Sequence, residues 1–114
     1  MVDEEEMFTT LADHILACAL PQAKPEWIAK VLSQLIWLTA DNGDEICDTM
    51  DAWLLRDDKR KVEIALNVEG AFPFGGGPAM IQNLQRVANR WPELSVRCDE
   101  IIRAWQKQHE RQGE

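Results

Sequence analysis

Residues 59–69 read KRKVEIALNVE, and the fold class turns on whether they form a strand or a helix. Val62, Ile64, Leu66 and Val68 alternate as one face of a strand does, whereas Val62, Ala65, Leu66 and Glu69 share a helix face. A strand needs a neighbour for its amides and carbonyls, and no other stretch of this chain reads as one. A helix is therefore expected, which makes the chain all-α.

Immediately downstream, residues 69–78 read EGAFPFGGGP. No helix continues through such a run, because glycine loses the most backbone entropy on folding and proline lacks an amide donor. The run separates an acidic helical part (3–69) from a C-terminal helical pair (79–108), with a Gly/Pro-rich loop at 70–78. At 114 residues, the whole chain (1–114) is expected to be one domain with its own core.

Working upstream, Asp44 closes the turn Asp41-Asn42-Gly43-Asp44 and is placed to cap a helix carrying Ile46, Met50, Trp53 and Leu54 on one face. Asp57 or Asp58 offers the cap for the stretch after it. Before the turn, a helix from Pro25 to about Thr39 is apolar nearly all round, through Trp27, Ile28, Val31, Leu32, Leu35, Ile36, Trp37 and Leu38. That pattern predicts the central, most buried helix. Residues 3–19 begin with four acids, which suit a helix N-terminus, and then place Phe8, Leu11, Ala12, Ile15, Leu16 and Ala19 at helical spacing before Pro21.

Beyond the glycines, Pro78 opens a helix with Met80, Ile81, Leu84, Val87, Ala88 and Trp91, and Pro92 ends it. The last helix carries Leu94, Cys98, Ile101, Ile102 and Trp105 and is expected to fray from Gln106 onward. About six short helices in antiparallel pairs result, as a helical bundle or a small HEAT-like stack. The run Trp53-Leu54-Leu55-Arg56-Asp57-Asp58, followed by Val62 and Ala65-Leu66, resembles one helix–turn–helix unit of a HEAT-type array. The likeness covers about a fifth of the chain, does not recur in it and is shared by unrelated αα-hairpins, so it assigns no family.

Composition narrows the function class. Twenty acids against 12 basic residues give a net charge of −8, which argues against direct nucleic-acid binding and suits a basic protein partner. Three widely spaced cysteines, an odd number, read as reduced thiols. The acidic start MVDEEEM lacks the basic region of a signal peptide, and no apolar run approaches a membrane span. A cytoplasmic protein without membrane contact is expected. Most of the five tryptophans are expected in the core, with room for one exposed binding anchor.

No stretch spells out a chemistry. His14 and Cys18 stand four apart, but no Cys-x-x-Cys pair accompanies them, so no metal or cofactor is expected. Counting an EF-hand loop from Asp41 puts Gly43 and Ala52 where ligands belong. Gly75-Gly76-Gly77-Pro78 continues with Ala-Met rather than the Lys-Ser or Lys-Thr of a phosphate loop. With no nucleophile motif either, no enzyme activity is expected.

What remains is charge. Asp41, Asp44, Glu45, Asp48, Asp51, Asp57 and Asp58 cluster with Arg56 as the lone positive between them, and Asp44, Asp48 and Asp51 fall at helical spacing. A row of carboxylates can stand in for phosphates before a basic surface, or can simply be a solvated face. Lys59-Arg60-Lys61 reads as helical partners for the neighbouring acids. Phe72 and Phe74, bracketing Pro73, are either an exposed contact patch or loop anchors. Asp44, Glu45, Asp48, Asp51, Asp57, Asp58, Phe72 and Phe74 are thus the candidate partner-binding residues. The leading expectation is an immunity- or antitoxin-like protein that occludes a basic nuclease or nucleoprotein. The alternatives are a phage-type anti-defence (anti-CRISPR-like) inhibitor and a helical adaptor whose acids only solvate it.

Overall fold

Thr10 starts the first helix through a reciprocal cap: its hydroxyl accepts the Asp13 amide at 3.3 Å, and the Asp13 carboxylate accepts the Thr10 amide at 3.2 Å. The computed structural model describes residues 10–69 and 72–112. The acids at 3–6, Phe8, and positions 70 and 71 of the loop lie outside the described residues. Helix α1 spans Leu11–Cys18, α2 Pro25–Ile36, α3 Asp44–Leu54 and α4 Lys59–Asn67. A single 3-10 turn, Pro73–Gly75, leads into α5, Gly77–Arg90. A second, Pro92–Leu94, leads into α6, Ser95–Gln112. Among the described residues the protein is all-helical and contains no strand.

Local chemistry accounts for the boundaries. Gly43 is the N-cap of α3, and Asp41 rather than Asp44 serves its free amides: the Asp41 carboxylate accepts those of Gly43 at 3.0 Å and Glu45 at 3.1 Å. Asp44 is instead the first helical residue, one position too late to reach those amides. Asp58 caps α4 by accepting the amides of Arg60 and Lys61. Pro25 and Pro78 sit in the first turns of α2 and α5, where a missing amide costs nothing. Helix α6 runs past Gln106, because no glycine or proline interrupts it before Gly113 and His109 stacks on Trp105 with ring centroids 4.1 Å apart.

Helix α4, the ambiguous stretch, lies at the centre and packs on both α2 and α3. It buries Val62, Ile64, Ala65 and Leu66, so apolar residues are covered on more than one of its sides. Helix α2 is not the most buried. It turns Ile28, Ala29, Leu32 and Ile36 inward and leaves Trp27 and Val31 exposed, as are Trp37 and Leu38 just beyond its end. Trp53 is buried and Trp91 and Trp105 pack partly buried on the core, while Trp27 and Trp37 remain 57% and 76% exposed. Two exposed tryptophans exceed the single anchor that composition suggested.

The C-terminal pair α5 and α6 joins the rest through polar links as well as packing. Arg97 Nε donates to the Leu66 carbonyl at 2.9 Å, Lys59 pairs with Glu93 at 2.8 Å, and Arg90 pairs with Asp57. The loop between the two parts is pinned where the Phe74 amide donates to Asp51 Oδ1 at 2.9 Å. Among the described residues, no helix is long and apolar enough to cross a membrane.

Candidate functional site

The start of α1, the turn before α3 and the outer side of α3 enclose an open groove of about 520 Å³. Asp13, Asp41, Asp44, Glu45 and Asp48 line it, together with Arg56 and the buried Trp53 and Thr49. Three of the five carboxylates hold the groove together. Glu45 Oε1 accepts the Leu11 amide at 2.9 Å, tying α3 to α1. Asp13 Oδ1 accepts the Trp53 indole N–H at 3.1 Å, a second tie between the same helices. Asp41 accepts the amides of Gly43 and Glu45 at the start of α3. By contrast, no hydrogen bond or ion pair among the described residues engages the side chains of Asp44 and Asp48, and both are exposed. Of the five groove carboxylates, these two are the ones without a hydrogen-bonded or ionic partner among the described residues.

The remaining candidates are placed elsewhere. Asp51, at helical spacing from Asp44 and Asp48, leans to the other side of α3, where it is half-buried and holds Phe74. Asp57 is engaged with Arg90, and Asp58 is engaged as the α4 cap. Phe72 and Phe74 are half-buried and packed against the core, which is the loop-anchor arrangement. Only Asp44, Glu45 and Asp48 therefore come together, joined by Asp13 and Asp41. Asp13 was not among the candidates because it comes from a different helix. The Thr10-x-x-Asp13 capping box was the sequence signal that would have placed it at a helix start.

The structural carboxylates titrate abnormally. For Asp13, burial pushes the pKa up, but bonds from the Thr10 hydroxyl and amide and from the Trp53 indole, with the charge of Lys61, outweigh it and lower the pKa. Asp41 is lowered chiefly by the Glu45 amide and the Thr39 hydroxyl. A carboxyl whose folded pKa is depressed stabilises the fold above its unfolded pKa, and that stability is lost as pH falls through the folded value. Asp51 works in the opposite sense. Burial first, opposed by the Phe74 amide and assisted by the charge of Asp48, raises its pKa, so its contribution weakens as pH rises. Thermal melts are expected to show stability falling below about pH 4. The double variant Asp13→Asn/Asp41→Asn should flatten that fall; an unchanged acid slope would contradict these roles.

The thiols stand apart. Cys18 is exposed, Cys47 partly buried and Cys98 buried, with burial pushing the Cys98 pKa up to about 11. Among the described residues, no three His, Cys, Asp or Glu side chains are grouped to hold a metal ion. Comparison of the chain with protein-family models, with curated proteins and with solved structures finds no significant match.

Proposed function

We propose that this is a small cytoplasmic binding protein that docks its acidic groove on a basic surface of another protein. In its most concrete form it is an immunity- or antitoxin-type inhibitor covering the nucleic-acid-binding surface of a nuclease toxin. The observation that carries this reading is the pairing of a rigid frame with free charge. Asp13, Asp41 and Glu45 are spent on local structure, while Asp44 and Asp48 project from the framed groove without partners among the described residues. Preorganised charges of one sign steer an oppositely charged partner and raise its association rate. The mechanism is occlusion, with no catalytic step. An anti-defence inhibitor of a nucleoprotein would use the same groove on a different basic partner.

The double variant Asp44→Lys/Asp48→Lys tests the reading, because neither side chain makes a hydrogen bond or ion pair among the described residues. Association with the captured partner is expected to slow by about tenfold or more at low salt. The salt dependence should shrink with it. Unchanged association would overturn the proposal.

A second reading has its own support. Trp27, Val31, Trp37 and Leu38 expose apolar surface along and beyond α2, as an adaptor or assembly subunit would. Binding through that surface would resist salt and fail in Trp27→Ala/Trp37→Ala rather than in the aspartate variant.

A further inference from the structure

On the opposite side of α3 from the acidic groove, α3, α4, α6 and the residues Val68, Glu69, Phe72 and Pro73 surround a cavity of about 470 Å³. It shares no lining residue with the groove. Its walls are mostly apolar, including Ile36, Met50, Leu54, Leu66, Phe72 and Ile101. A volume of this size suits a small organic molecule, and apolar walls with a few convergent polar groups are the usual make-up of such sites.

The polar groups define the ligand's charge. Asp51, Glu69, Arg97 and Glu100 line the cavity. Arg97 Nη1 bonds Glu100 Oε2 at 3.2 Å and its Nε bonds the Leu66 carbonyl, so these two charges offset each other. Asp51 and Glu69 then remain without a compensating cation in the lining. Asp51 is half-buried at the wall, and only its Oδ1 is engaged among the described residues, by the Phe74 amide. An anion entering here would face two carboxylates. An uncharged hydrocarbon would strip water from Asp51 and return nothing to it.

We propose that this cavity binds a small apolar ammonium compound, an alkyl or aryl amine in protonated form, with its body among the aliphatic walls and its charge against Asp51. The site is independent of the acidic groove, so its test and that of partner docking can fail separately.

Three probes of similar size distinguish the charge: 2-phenylethylammonium, 2-phenylethanol and 3-phenylpropionate, each titrated at neutral pH and followed by amide chemical shifts. Saturable binding of the ammonium is expected to exceed that of the alcohol by about tenfold, as a charge-assisted hydrogen bond requires, with no binding of the carboxylate. The shifts should centre on Asp51, Leu66 and Phe72. Asp51→Asn keeps an oxygen for the Phe74 amide, so the loop stays pinned, and it should reduce ammonium affinity to that of the alcohol. Ala104→Trp, at an exposed lining position of α6, should block all binding while leaving the thermal melt cooperative. Absence of saturable ammonium binding, equal affinity for ammonium and alcohol, or an Asp51→Asn variant with undiminished preference for the cation would each overturn the proposal.

Discussion

Gly76→Ala is expected to remove about 2–6 kcal/mol of stability, combining backbone strain with overpacking. Gly76 has φ 80° and ψ −168°, a region that only glycine occupies without strain. A Cβ there would also overlap the Trp105 indole, lying 2.8 Å from its Cδ1. Trp105 is packed on the core and stacked on His109, so it has little room to retreat. Against a typical total of about 5–15 kcal/mol, a loss of this size is a large fraction of the whole and should lower the urea midpoint markedly. Gly75→Ala provides the control. Gly75 also has a positive φ, 75°, but nothing lies within 4 Å of an added Cβ. That variant should lose only about 1–2 kcal/mol, the cost of the left-handed backbone alone. Urea melts of the two variants measure the difference, and equal midpoints would mean that the Trp105 contact does not constrain the loop.

Trp53→Ala is expected to cost about 3–5 kcal/mol, as deletion of a buried aromatic side chain does. Trp53 is 2% exposed, and its indole N–H reaches Asp13 on α1. The Lys61 ammonium lies 5.7 Å from its ring centroid, so the ring joins three helices at the base of the groove. The consequence for α1 is more specific than the overall loss. Two polar ties hold α1 to α3, the Glu45 bond to the Leu11 amide and the Asp13 bond to Trp53. Trp53→Phe keeps most of the apolar filling and removes only the second tie. Hydrogen exchange in that variant should speed up in α1 while α4 and α5 stay protected. Uniform acceleration across all the helices would show that Trp53 acts through global stability alone.

Such long-range ties separate what the sequence made legible from what it did not. Helix α3 was readable because Ile46, Met50, Trp53 and Leu54 follow helical spacing and all four are buried. In α4 the strand-like alternation of Val62, Ile64 and Leu66 has a tertiary cause. The helix is covered by more than one neighbour, so its apolar residues are not confined to one stripe. The lack of any partner strand, rather than periodicity, settled that reading. Helix α2 misled for the converse reason. Apolar content reports which side chains can be buried but not which ones a neighbour covers, and Trp27 and Trp37 are left in solvent.

The candidate site divides in the same way. Local spacing brought Asp44, Glu45 and Asp48 together. The same spacing grouped Asp51 with them, yet its side chain is engaged by the Phe74 amide from a distant loop and lines the cavity rather than the groove. Asp13 joined the groove through α1, a neighbour that no local pattern around α3 announces. Capping roles followed a simple rule displaced by one turn of chain: Asp41 holds the amides that Asp44 follows too closely to reach.

The proposed docking rests on Asp44 and Asp48 meeting a basic partner. Its most direct test is capture from source-cell lysate on the wild-type protein and on Asp44→Lys/Asp48→Lys in parallel, with a salt gradient for elution and mass spectrometry of what elutes. The expected result is a basic nuclease or nucleoprotein held by the wild type, released at moderate salt and absent from the variant. A partner held equally by both proteins and indifferent to salt would overturn that reading, and would shift the binding surface to Trp27 on α2 and Trp37 just beyond it.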